Sequence, residues 1–216
     1  ERLLETANLA IALENIYKAK QGNQFDVYIV ITDAPNKIGL CSDSFLVERS
    51  STPFHFGNSI LSVIRKHSID SVCYVGGGAL PLATVSLFKN IGNRLSSHEN
   101  IAISNNVYSG DLIAFSPASA LTTIPLPAID NPLPRLLKEY GGLDLLPLPK
   151  GLDTLLDIDT PTDLAILSLH PGLSDNLKAC FSAMSLDTRY LINAIKIFTD
   201  KQSQVFVAGR VSSFVW

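Results

Sequence analysis

The chain lacks the means to grip a long polyanion or a lipid surface. Its 17 Lys and Arg residues against 20 Asp and Glu give a formal net charge of −3. No basic run occurs, which argues against nucleic acid as a partner and against a basic helix lying on a membrane. No apolar stretch approaches the length of a bilayer span, and nothing resembles a signal peptide. Cysteine is scarce: Cys41, Cys73 and Cys180 are far apart, share no metal-ligand spacing and leave an odd thiol. They are expected to be reduced, in a cytoplasmic protein. Internal repeats and low-complexity tracts are absent. No Gly-x-Ser-x-Gly turn or Cys/His pairing signature appears, so a Ser or Cys nucleophile is unsupported and no catalytic residue is nominated. A small-molecule ligand is the expectation that remains.

What is present is apolar: 46% of 216 residues are hydrophobic, enough to fill the core of one α/β domain with chain left over. Residues 3–20 carry apolar side chains at helical spacing. Residues 26–33 form a continuous β-branched run of the kind buried on both faces of a parallel sheet. A polar stretch through residue 52 leads to a helix over 54–67. A strand over 71–75 ends in Gly76-Gly77-Gly78, and Pro81 is expected to open a helix reaching about 91. Short strands at 101–104 and 112–115 flank a polar turn, and a helix over 132–140 is stopped by Gly141-Gly142. The segment Leu155-Leu156-Asp157-Ile158-Asp159-Thr160-Pro161 reads as a last strand, followed by a helix to about 169. These repeated βα units predict a three-layer, mostly parallel α/β fold over residues 1–170, with ligands at the carboxyl ends of the strands. Residues 171–216 read as a helical extension or the start of a second domain, with helices over 174–184 and 188–199 and an apolar run at 205–208. Their apolar faces call for either more chain or another subunit, so a homo-oligomer is one expectation.

Asp157 and Asp159 are the most informative residues. Alternating on a strand, they project to one face, where two carboxylates repel unless solvent, a donor or a cation neutralises them. Thr160, Pro161 and Asp163 are explained as helix punctuation, an N-cap, a first-turn proline and a capping-box acid. Capping leaves Asp157 and Asp159 unexplained. Gly76, Gly77 and Gly78 would let backbone N–H groups approach a phosphate or base, although they do not spell a dinucleotide fingerprint and also suit a plain strand-to-helix turn. Asn105 and Asn106 sit in a turn with Tyr108, Ser109, Gly110 and Asp111. There they serve either as hairpin residues or as donors and acceptors for a base or sugar. His55, between Phe54 and Phe56, reads as a packed or capping residue. Asp130-Asn131-Pro132 opens a helix, with Arg135 one turn along as a candidate phosphate partner.

The sequence Asp157-Ile158-Asp159-Thr160-Pro161-Thr162-Asp163-Leu164 after a βα series resembles the GT-A-fold nucleotidyltransferases, in particular the molybdenum-cofactor guanylyltransferase (MobA-like) and 2-phospholactate guanylyltransferase group. The order of elements from 3 to 169 fits as well. The resemblance implies transfer of a nucleoside monophosphate from a nucleoside triphosphate to a phosphorylated small molecule, with Mg²⁺ held by Asp157 or Asp159. Gly76 to Gly78 would line the nucleotide or acceptor pocket, and Asn105 and Asn106 would orient the acceptor. Two departures stand beside it. Family members open with a strand and a Gly-rich triphosphate loop, whereas this chain opens in what would be the following helix. The principal metal ligand of the family, an Asp in an Asp-x-Pro turn, corresponds by element order to Ala79. Asp33-Ala34-Pro35 has that spelling but lies on an earlier strand. A non-catalytic nucleotide- or phosphometabolite-binding protein on the same fold is therefore the alternative, and a GT-A sugar transferase ranks behind both.

Overall fold

The computed structural model describes residues 2–38 and 44–206, which leaves Cys41 and the end of the apolar run at 205–208 outside the described residues. Helix α1 (Arg2–Gly22) leads to strand β1 (Ile29–Thr32), β2 (Leu46–Arg49), α2 (Phe56–His67), β3 (Val72–Val75) and α3 (Val85–Ser97). Then come β4 (Ile101–Ser104), β5 (Leu112–Ser116), α4 (Leu133–Glu139), β6 (Asp144–Pro147) and the single turn α5 (Leu152–Leu155). Helices α6 (Pro161–Ser168), α7 (Asp175–Ser182) and α8 (Arg189–Thr199) complete the described chain.

The fold is α/β. A four-stranded sheet has the order β3-β5-β4-β6, and β1 pairs in parallel with β2 as a separate two-stranded sheet. Strand β5 runs antiparallel to both β3 and β4, while β6 is parallel to β4, so three of the four strands share one direction and β5 is the reversed one. Strands β4 and β5 form the buried centre, as their unbroken apolar sequences require. One face is covered by α2 and α4 through Ile60, Ile64, Leu133 and Leu137, and the other by α3 and the end of α1 through Leu87, Phe88, Ile91 and Ala19. Ile31 of β1 joins the first core together with Val72 and Tyr74 of β3, and Tyr28 joins the second together with Cys73 and Val75. Both strands thus lie between the same two cores, yet no hydrogen bonds join them, and every residue of each is only half-buried.

Three local expectations are corrected. Pro81 does not open a helix: residues 81–84 form a turn, and α3 starts after Thr84, whose hydroxyl accepts from the Leu87 N–H at 3.1 Å. Strands β2 and β6 arise in stretches where none is expected, because each is short, has exposed ends and lies at a sheet edge. The segment around Asp157 is not a ladder strand but an extended stretch after α5, tied to the turn after β3 by one antiparallel bridge between Ala79 and Asp157.

A third core joins the first half of α1 to α6 and α7 through Ala7, Ile11, Leu164, Leu177 and Phe181, with Ile158 beneath them. Helix α8 has no buried residue and leaves Ile195 and Phe198 exposed. No described helix is long and apolar enough to cross a membrane.

Candidate functional site

The turn after β3 is where the chain's polar features meet. The N–H of Gly76 donates to the Asp111 carbonyl at 2.8 Å, which ties the turn to the start of β5. Gly77 is exposed and Gly78 buried. A Cβ on Gly78 would stand 2.8 Å from the Ile158 carbonyl oxygen and 2.9 Å from Asn8 Oδ1, so glycine is required here by close approach. The segment 156–158 closes the other side: Leu80 N–H donates to Leu156 O at 2.9 Å, and Ile158 N–H to Gly78 O at 3.2 Å.

That register sets the carboxylates. Ile158 is buried in the third core, so its neighbours Asp157 and Asp159 turn away from it, the first half-buried and the second exposed. The alternation expected of a strand holds although the segment belongs to no sheet. Because β5 is reversed, its first residues lie at the carboxyl end of β3, and Asp111 arrives beside Gly76. Asp130, before α4, accepts from the Tyr74 hydroxyl at 2.9 Å.

The other three acids act on Asp157. Burial, then Asp111, Asp159 and Asp130 in addition, push Asp157 up to about 6 against a weaker opposing hydrogen bond from Ile158 N–H. Burial also raises Asp111, with Asn105 and Ser109 opposing as hydrogen-bond donors. Burial, then Asp130, lifts the Tyr74 phenol far above its ordinary range, so it stays a donor. The raised Asp111 and Asp157 mark a place where burial and neighbouring negative charge coincide.

Fit to Mg²⁺ can be judged from these donors. Among the described residues no group of three or more His, Cys, Asp or Glu side chains is arranged to hold a metal ion. Ala79, buried and bridged to Asp157, occupies the place where the resemblance expects a second ligand. Mg²⁺ nevertheless commonly takes only one or two carboxylates, filling its octahedron with water and substrate phosphate. Asp157, half-buried, and Asp159, exposed, are two carboxylates that fit that mode.

The remaining candidates fall out as follows. Asn105 is buried and committed to the hairpin, its Nδ2 donating to Asp111 Oδ2 at 3.2 Å and its Oδ1 accepting from Leu112 N–H at 3.1 Å. Asn106 is exposed, and its Oδ1 accepts from Tyr108 N–H at 3.0 Å in an Asx turn. His55 caps α2, accepting from Asn58 N–H. Arg135 pairs with Glu139 at 2.7 Å on the surface. Cys73 lies on β3, where burial pushes its thiol up to about 12 and makes it inert. Asp111, Asp130 and Tyr74 were not legible as site members, because only the reversal of β5 and the return of the chain before α4 bring them to Asp157. Two shallow clefts of about 340 and 440 Å³ lie at the opposite end of the strands, sharing Ser116 and Pro117. The carboxylates are not part of either.

No known protein family matches the sequence, and neither does any curated protein. Among solved structures, a cytidylyltransferase from Leptospira borgpetersenii serovar Hardjo-bovis matches with a TM-score of 0.54 at 15% identity, over 92% of this chain and 88% of that one. The likeness is one of fold: this chain shares the architecture of that cytidylyltransferase.

Proposed function

We propose that the edge formed by Gly76 to Gly78, Asp157 and Asp159 binds a nucleoside triphosphate with Mg²⁺, and that the protein transfers the nucleoside monophosphate to a phosphorylated small molecule. The observation that carries this reading is the repulsion around Asp157 at the end of β3, on a fold shared with a cytidylyltransferase. In the reaction an acceptor phosphate oxygen bonds to the α-phosphorus, and the bond to the bridging oxygen breaks, releasing pyrophosphate with the electron pair. When bound, Mg²⁺ would supply charge neutralisation at the phosphates. The chain's own part is positional. Asp157 and Asp159 hold the cation side, the exposed backbone of Gly77 lies open to a phosphate or base, and Asn106 on the β4–β5 turn is available to the acceptor, Asn105 being spent on the hairpin. The MobA-like grouping and a cytoplasmic setting belong to the same proposal.

A second reading has its own observation. Ala79 opposite Asp157 leaves one carboxylate fewer than the family resemblance implies, which favours a binding protein that keeps the pocket without the transfer. Thermal melts with each of the four nucleoside triphosphates, with and without Mg²⁺, test the nucleotide site. A rise in midpoint with one triphosphate that needs Mg²⁺ supports it. No rise with any of them contradicts it. Pyrophosphate release on adding phosphorylated acceptors then separates enzyme from binder.

A further inference from the structure

We propose that Asn15 of α1 is a positioning residue of this site, holding the turn against which Asp157 is set; this rests on the nucleotide-site reading above. Asn15 is 4% exposed, and its Nδ2 donates to the Ala79 carbonyl at 2.9 Å across 64 residues of sequence. Ala79 is the residue bridged to Asp157, so one buried donor fixes the backbone on which the carboxylate leans.

Three features set this contact apart from ordinary packing. Asn15 Oδ1 is buried without a hydrogen-bond partner, and so is Asn8 Oδ1, two turns earlier on the same helix face and against Gly78. A buried acceptor left unmet is destabilising, a cost that an apolar side chain of the same shape avoids. Leu80, the next residue of the turn, has φ 56, a left-handed conformation that a branched side chain resists. Such a conformation persists only where its surroundings overdetermine it. Here Asn15 on one side and Leu156 and Ile158 on the other supply that constraint. The helix thus tolerates two unmet acceptors while one amide donor pins a strained turn, and the element that benefits is the one carrying Asp157.

The test compares the 216-residue chain with Asn15→Leu, which keeps the volume and removes the donor, and with Asn15→Ala should leucine prevent folding. Amide hydrogen exchange reads the turn without any ligand. The Ala79, Leu80 and Ile158 amides are expected to exchange about tenfold faster in the variant, matching the loss of one net hydrogen bond. The β4 and β5 amides should keep their rates. Free Mn²⁺, followed by electron paramagnetic resonance, should also bind the variant more weakly than wild type. Unchanged turn amides, or equal acceleration of every amide as in a loss of global stability, would overturn the proposal. If wild-type protein binds no Mn²⁺, the cation reading fails while the exchange result still decides the role of Asn15.

Discussion

Burial and three neighbouring carboxylates all work against the charge on Asp157. Its folded-state value of about 6 lies above the 3.8 of a free carboxyl, so the folded protein binds more protons than the unfolded chain between those values. Stability contributed by this group is therefore present at low pH and is lost as pH rises through about 6. Asp157→Asn should raise the melting midpoint above pH 6, and the gain should vanish below the unfolded value; a gain independent of pH would contradict the charge argument. Gly78 supports a steric prediction of the same kind. Gly78→Ala forces a methyl against the Ile158 carbonyl and should cost about 1–3 kcal/mol, measured by denaturant unfolding. At this scale the sequence was legible where local chemistry left a residue unaccounted for: capping explained Thr160 and Asp163, and both indeed form a capping box, which isolated Asp157 and Asp159. It was illegible for Asp111 and Asn15, whose partners lie far away in the chain.

Elements were legible in proportion to their periodicity. Helices α1 and α2 and strands β3, β4 and β5 fall close to their expected positions because each carries an unambiguous pattern. Strands β2 and β6, Leu46–Arg49 and Asp144–Pro147, have only two half-buried central residues each and no alternation long enough to detect. The absence of a helix start at Pro81 has a different cause: proline suits a first helical turn, but Ala79 and Leu80 meet Asn15 and Leu156 in a turn before Thr84 can cap α3. The separation of β1 from β3 also has a measurable consequence. Each is paired with a strand on one side only, so hydrogen exchange in β1 and β3 should be faster than in β4 and β5, which are paired on both sides. Equal protection across all of these strands would show that the edges are covered.

For the whole molecule, the α/β class follows from the alternation of strand and helix, and the same alternation motivates a candidate site at the carboxyl end of β3. The likeness to a cytidylyltransferase extends over nearly the whole chain but at an identity that speaks only of architecture. Chemistry must then be argued from the site. There the balance is between a concentration of carboxylates proposed to hold a cation and an alanine where the resemblance expects a further ligand. Cation affinity at Asp157 decides between them. The most direct measurement is a calorimetric titration of the protein with nucleoside triphosphate, with and without Mg²⁺, repeated on Asp157→Ala and Asp159→Ala. Binding of one triphosphate that needs Mg²⁺ and disappears in either variant is the predicted result. Absence of binding, or binding indifferent to Mg²⁺ and to both substitutions, would contradict the account.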